Sequence, residues 1–377
     1  MKKSSIIVIV LIVIISIGTI FYFKIRNSDN VSTIKIGAVL PLTGDMSSYA
    51  TSLKKGMDLA IEEINSNGGI DNKKLLVVYE DDKGEAKNAV SAYRKLVDID
   101  NTQLIIGGMF SVQTFAMAPL AEKEHKVLLS PTASAIELTT AGDYIFRIYP
   151  SDIYDGIFLS EFAFNELKSR KVAIVYEQVA SVVAIANKFK SDFESFGGEV
   201  VVFDGYNSEL KDFSTIVRKV SNADPDIVFI PGNLTPMANL LIQSKQLGLK
   251  KQFLTISTFY DEKIFELAKD AAENVLFSSP MFDPTSNTPE MENFVSLYKT
   301  QYNVEPDILG GYGYDVVKIA AYALQNGTNA DQIKNSLYKI NNFPGVTGST
   351  TFDSNGDVSK ELKIMKVENG AFVPYAK

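Results

Sequence analysis

The chain has 377 residues, a formal net charge of −8, one histidine and no cysteine. That length exceeds one comfortable core and fits two domains, and the acidic balance argues against nucleic acid, which selects clustered Lys and Arg. Without cysteine there is no disulfide, thiolate metal site, cysteine nucleophile or lipid-modified cysteine.

At the N-terminus, Lys2 and Lys3 precede an apolar run over 6–23, followed by Lys24 and Arg26. A run of about 18 apolar residues without a polar stripe can cross a hydrocarbon core as a helix. It reads as a signal peptide or a retained membrane anchor. Bulky Phe21-Tyr22-Phe23 close behind Ser16-Ile17-Gly18 favours the anchor. Either way the remaining chain lies outside the cytoplasm, beyond a short polar linker.

A strand at 34–40 leads into a helix on which Leu53, Met57, Ala60, Ile61 and Ile64 repeat at helical spacing. Asn67-Gly68-Gly69 ends it, because glycine accepts the left-handed cap conformation. A strand follows at 75–80. Asp82 with Glu85 has the pattern of a capping box, opening a helix through Val97. Next come a strand at 104–106, Gly107-Gly108, and a helix from near Ser111 in which Pro119 should produce a kink. After a strand at 127–130, residues 144–149 read as an extended crossover ending at Pro150.

Beyond Pro150 the pattern recurs. Helix 153–167, strand 172–176, helix 184–196 with Gly197-Gly198, strand 199–206, helix 213–220 and strand 227–230 are followed by helix 237–247, strand 253–256 and helix 263–269. A return crossover at 275–279 and helices at 290–302 and 313–325 suit the first lobe. The tail carries hairpin signals: 350–353 with a turn at Asn355-Gly356, and 363–367 turning at Asn369-Gly370 into 372–375. Each strand–helix–strand unit needs its helix to return the chain to a parallel strand, so two α/β lobes with parallel-sheet cores are expected. Their bounds are 31–149 with 280–346, and 150–279 with 347–377, after a leader over 1–30. A cleft between the carboxyl ends of the two sets of strands is where such sheets bind ligands.

Catalytic machinery is sparse. His125 sits in a charged stretch where a helix ends, and no second His or any Cys accompanies it for a triad or transition-metal site. Asp82, in Glu80-Asp81-Asp82, reads as a helix cap rather than half of an acid pair. Asp353, Asn355 and Asp357 begin like a calcium loop, but Val358 and Ile364 stand where Gly and Glu are required, which leaves a hairpin turn. No glycine-rich phosphate motif is present. Ser111, at a helix start behind two glycines, suits a carboxylate or another acceptor through free N–H groups and the positive dipole end. Ser134, at the same cleft edge, is a ligand contact or a cap paired with Glu137. Tyr49, after the first strand, is an aromatic wall or a staple on its own helix.

The stretch Ile34-Lys35-Ile36-Gly37-Ala38-Val39-Leu40-Pro41-Leu42-Thr43-Gly44 resembles the opening of the Leu/Ile/Val-type extracytoplasmic solute-binding proteins of ABC transporters. So do the segment from Gly56 to Gly69-Ile70, Ala118-Pro119-Leu120-Ala121-Glu122, and Leu129-Ser130-Pro131-Thr132-Ala133-Ser134. Gly345-Val346-Thr347-Gly348, Phe352-Asp353 and Asn355-Gly356-Asp357 are similar to that family's closing signature. The resemblance implies a type I periplasmic-binding fold, two Rossmann-like lobes joined by three hinge crossovers that close on a small molecule. It also implies a non-enzymatic, cofactor-free monomer that delivers its ligand to permease subunits.

The same resemblance implies ligand contacts at Tyr49 (aromatic lid), Phe110, Thr132, Ala133 (backbone carbonyl), and Ser111 and Ser134 (carboxylate and ammonium). The second lobe departs from the family. Ser257 stands where relatives commonly place an acid for the ammonium group, Ser181-Val182 where a tyrosine-glycine pair is common, and Asn233 where an aromatic is frequent. A buried ammonium without a partner charge is costly. Either Glu177 or Asp261 substitutes, or the ligand is not a zwitterion. An amino acid is the leading ligand, with small amides, carboxylates and aromatic acids behind it. A sensor subunit acting with a separate signalling partner is the other class consistent with such lobes.

Overall fold

The computed structural model describes residues 32–376. The leader over 1–30, with its expected helix, lies outside the described residues.

Short apolar runs build the first sheet. β1 (Thr33–Leu40), β2 (Lys74–Asp81), β3 (Leu104–Ile106), β4 (Val127–Ser130) and β5 (Ile145–Arg147) lie in the order β2-β1-β3-β4-β5, every pairing parallel. β3 and β4 are buried at every residue, as strands covered on both faces must be. The crossovers run through α1 (Ser47–Ser66), α2 (Ala86–Arg94) and α3 (Ser111–Glu124).

The second sheet contains β6 (Lys171–Glu177), β7 (Glu199–Tyr206), β8 (Ile227–Phe229), β9 (Gln252–Thr255), β10 (Leu276–Pro280), β11 (Leu362–Glu368) and β12 (Ala371–Pro374). Its order is β12-β11-β10-β9-β8-β6-β7. β6 to β10 are parallel, and the β11–β12 hairpin adds antiparallel to β10. The hairpin turns at Asn369 and Gly370, φ 54° and 71°, the left-handed pair that a two-residue turn requires. α4 (Ile153–Glu161) leads from the first crossover into β6, and α5 (Ala180–Ser195), α6 (Ser214–Ala223), α7 (Leu234–Gln246) and the short α8 (Lys263–Leu267) connect the strands that follow.

The chain crosses between lobes after β5, after β10 and before β11. Between the second and third crossings, α9 (Pro289–Tyr302), α10 (Ile308–Leu324) and α11 (Ala330–Leu337) return to the first sheet. Met291, Phe294, Tyr312 and Val316 share one buried cluster with Ile36, Met57 and Leu104, and Phe352 and Val358 join it. α1 and α10 approach backbone to backbone. A Cβ on Gly56 would stand 1.8 Å from the Gly310 carbonyl oxygen, and one on Gly313 would stand 1.9 Å from that of Leu53. Only glycine fits at either position.

The two α/β lobes with parallel cores are as the sequence leads one to expect; several local readings are not. α2 starts at Ala86 with Glu85 as its cap residue and no side-chain cap. Asp82 instead accepts the Gly84 N–H at 2.8 Å within a turn, so the local pattern served the turn and not the helix. The tail segment 350–353 forms no strand, only the isolated bridges Phe343–Thr350 and Phe352–Val358. Asp357, read as part of a hairpin turn, is buried and paired with Arg147. α11 was not anticipated; Asn329 caps it, accepting from the Gln332 N–H. Among the described residues, no helix is long and apolar enough to cross a membrane.

Candidate functional site

The loops at the carboxyl ends of β1, β3 and β4 gather most of the first-lobe candidates. Tyr49, in the first turn of α1, is half exposed and meets Phe110 edge to face, ring centroids 6.4 Å apart. Phe110 precedes α3, whose first turn has no side-chain cap. Gly107 and Gly108 bring this loop close to its neighbours. A Cβ on Gly107 would stand 2.6 Å from the Val39 carbonyl oxygen, and one on Gly108 would stand 2.5 Å from the Gln113 Cβ.

Hydroxyl groups then tie the β3 and β4 loops together. Ser111 Oγ accepts the Ala135 N–H at 3.1 Å, and Thr132 Oγ1 donates to the Met109 carbonyl at 2.6 Å. Ser130 Oγ donates to the Gly108 carbonyl and accepts the N–H of Ala133, which is itself buried. Tyr49, Phe110, Ser111, Thr132, Ala133 and Ser134 therefore belong to one set of linked loops. Ser134 is not a cap: a short 3₁₀ helix follows it with Ala135 in the cap position and no side-chain bond. The Ser134 carbonyl accepts the Asp152 N–H at 2.8 Å, and its hydroxyl favours the charged form of the Asp152 carboxyl against the rise from burial. A partner from the first crossover has taken the group that the local pattern would have used.

The second-lobe candidates occupy the loops after β6, β8 and β9. Glu177 is buried, and its Oε2 accepts the Asn233 N–H at 2.7 Å, so its carboxylate supports the β8 loop from beneath. Asn233 is exposed at the start of α7, which lacks a side-chain cap. Thr258 Oγ1 fixes the same loop through the Gly232 carbonyl at 2.8 Å. Asp261 is exposed and accepts the Lys263 N–H at the start of α8. Ser257 is partly buried and donates at 2.9 Å to Asp155 in the first turn of α4. The uncapped starts of α3 and α7, at the carboxyl ends of β3 and β8, offer free backbone N–H groups of the kind that bind a small polar ligand.

Residues 33–371 match the sequence profile of the periplasmic binding protein family. The chain belongs to that family. It is 29% identical over 328 residues to the leucine-, isoleucine-, valine-, threonine- and alanine-binding protein of Pseudomonas aeruginosa, covering 86% of this chain and 87% of the relative. It is 28% identical over 330 residues to the Leu/Ile/Val-binding protein of Escherichia coli, covering 86% and 88%. Among solved structures it resembles the branched-chain amino acid transporter substrate-binding protein of Streptococcus pneumoniae, determined in complex with isoleucine. That likeness has a TM-score of 0.74 at 29% identity, covering 90% of this chain and 98% of the other. The two-lobed architecture is the type I periplasmic-binding fold, and the family's activity is capture of solutes outside the cytoplasm.

Against this family frame, the residues that sequence reasoning missed lie in the first crossover. Asp155 is buried, accepts from Ser257 and Ser278, and is pushed up to about 6 by burial. Burial also raises Asp152, against the opposing pull of the Ser134 hydroxyl and the Arg147 charge. The two acids three residues apart after Pro150 were visible in the sequence. The partners of Asp155, 102 and 123 residues further along the chain, were not.

Proposed function

We propose that this chain is the solute-binding component of an ABC importer, capturing a small polar or amphipathic metabolite, an amino acid first of all, and delivering it to permease subunits. The observation that carries this reading is the linked set of first-lobe loops, in which the Tyr49–Phe110 wall stands beside Ser111, Thr132, Ala133 and Ser134. In this reading the uncapped start of α3 and the Ser111 hydroxyl receive a carboxylate. Asn233 and Ser257 approach from the other lobe, and Glu177 holds the Asn233 loop in place. The names of the relatives support amino acids as the solute class. The lobes are taken as 31–149 with 280–346 and 150–279 with 347–377, the stretch through Val358 lying against the first. The protein acts as a monomer outside the cell membrane, tethered through its N-terminal segment or released if that leader is cleaved.

Ligand contacts to both lobes tip an open–closed equilibrium toward the closed form. A thermal-shift panel of amino acids, amides and organic acids tests this. A ligand at about a hundred times its dissociation constant adds roughly 2.7 kcal/mol of stability. A panel without any shift would end the proposal.

A further inference from the structure

The three crossovers meet around a small cavity of about 10 Å³. Ser151, Asp152 and Asp155 line it from the first crossover, Pro280 from the second, Leu362 from the third and Ser257 from the β9 loop. That volume takes one water-sized group. Asp152 is bonded to Ser134 at the carboxyl edge of the first sheet, and Asp155 to Ser257 at the carboxyl edge of the second. The cavity thus lies between the two rims of the cleft.

Its chemistry is unbalanced. Two carboxylates face it, and among the described residues neither is in an ion pair. The nearby Arg147 guanidinium is held in two-pronged contact by Asp357. Ser151, only 2% exposed, contributes a hydroxyl with no hydrogen-bond partner. Two anionic acceptors and one unsatisfied hydroxyl match the three N–H donors of a primary ammonium, which is itself about the size of a water molecule.

We propose that this hinge cavity is the ammonium subsite, with Asp155 as the carboxylate that pairs with the amino group of the bound solute. The assignment rests on the solute-binding reading above and deepens it. The acid absent at Ser257 is supplied from the neighbouring helix and touches that same serine. Asp155 keeps free lone pairs while accepting the Ser257 and Ser278 hydroxyls, since an ionised carboxylate offers about four acceptor sites. Burial of both acids, which favours their neutral forms in the empty protein, is relieved once a cation enters.

The test is calorimetric titration of the full chain with L-leucine and L-isoleucine, with isocaproate (the leucine skeleton without its amine), and with isoamylamine (without its carboxylate). The variant Asp155→Asn keeps the shape and one acceptor oxygen and removes the charge, its amide nitrogen taking the place of the second acceptor, so its melting is measured alongside. We expect an amino acid to bind the parent protein far more tightly than isocaproate, and D155N to weaken the amino acid by roughly thirtyfold or more, closing that gap. Ser151→Ala, which removes a hydroxyl that makes no hydrogen bond, should weaken the amino acid several-fold and leave isocaproate within twofold. Isocaproate binding as tightly as leucine, or D155N and S151A both leaving leucine affinity unchanged with normal melting, would overturn the ammonium subsite and leave solute binding intact. If no compound in the wider solute panel binds, the solute-binding reading itself fails, and the subsite with it.

Discussion

Arg147 and Asp357, 210 residues apart, form a buried two-pronged ion pair, Nε to Oδ1 at 2.6 Å and Nη2 to Oδ2 at 2.7 Å. The same guanidinium donates to the Ala135 carbonyl and to Thr139 Oγ1. One side chain at the end of β5 therefore clips the stretch before the third crossover to the loop that carries Ser134. Removing one partner of such a pair leaves the other buried and uncompensated. Arg147→Ala should cost about 3–5 kcal/mol in urea unfolding, well beyond a surface substitution. An unchanged midpoint would show that water reaches the pair.

The α1–α10 seam gives a sharper contrast. Gly56→Ala puts a methyl group 1.8 Å from a backbone oxygen that has nowhere to go. It should cost about 3 kcal/mol or more, as overpacking does at its upper end. Gly68→Ala meets nothing within 4 Å and has only its φ of +99° to contend with, a penalty of about 1–2 kcal/mol. Thermal melting of the two variants should rank them in that order, and the reverse order would contradict the seam.

Asp82 supplies a pH signature. It is wholly buried, its Oδ2 has no partner, and burial pushes its carboxyl from 3.8 to about 6. A raised carboxyl favours folding while protonated, so its contribution is complete below the unfolded value and is lost as pH rises through the folded one. Asp82→Asn keeps the Gly84 contact without the buried charge. It should stabilise the protein above about pH 6 by up to about 3 kcal/mol, the advantage vanishing below about pH 4. Denaturation midpoints of the two proteins, compared across that range, decide the matter; a constant offset would mean that Asp82 does not titrate there.

Within the proposed function, Ser111 has two tasks: accepting the Ala135 N–H and facing the solute. Ser111→Ala should weaken amino-acid binding roughly tenfold, the equivalent of about one hydrogen bond in a dry site. Tyr49→Ala should weaken it comparably, with little loss of fold stability because the ring is half exposed. Titration calorimetry reads both. Full affinity in both variants would remove the first-lobe wall from the binding site.

Most strands of both sheets were legible because they are short runs rich in apolar residues with Gly, Pro or Asn at a boundary. β3 and β7 fall on the residues expected of them, 104–106 and 199–206. Caps were less legible. Asp82 with Glu85 and Ser134 with Glu137 both carry a local helix-start pattern. A turn claimed the first, and Asp152 of the first crossover claimed the second. Where the first-lobe candidates lie in the fold could be read, because they cluster within single strand-to-helix connections. The second lobe could not: Glu177 stands at the right strand end but turns inward beneath Asn233, and Asp155 reaches Ser257 across 102 residues and Ser278 across 123. Side-chain direction at a strand end, and pairing over such separations, leave no local trace.

Within the proposed function, the glycine seam also bears on which guests would be admitted. Tyr49 rides on the helix that Gly56 and Gly313 press against α10, and Gly56 stands about two turns along from it. A helix pinned that closely cannot lean outward to widen the entrance, so girth would be judged by the spine of the lobe and not by a yielding loop. A methyl group at position 56 would then act as a lever, retuning the gate from a place no solute touches.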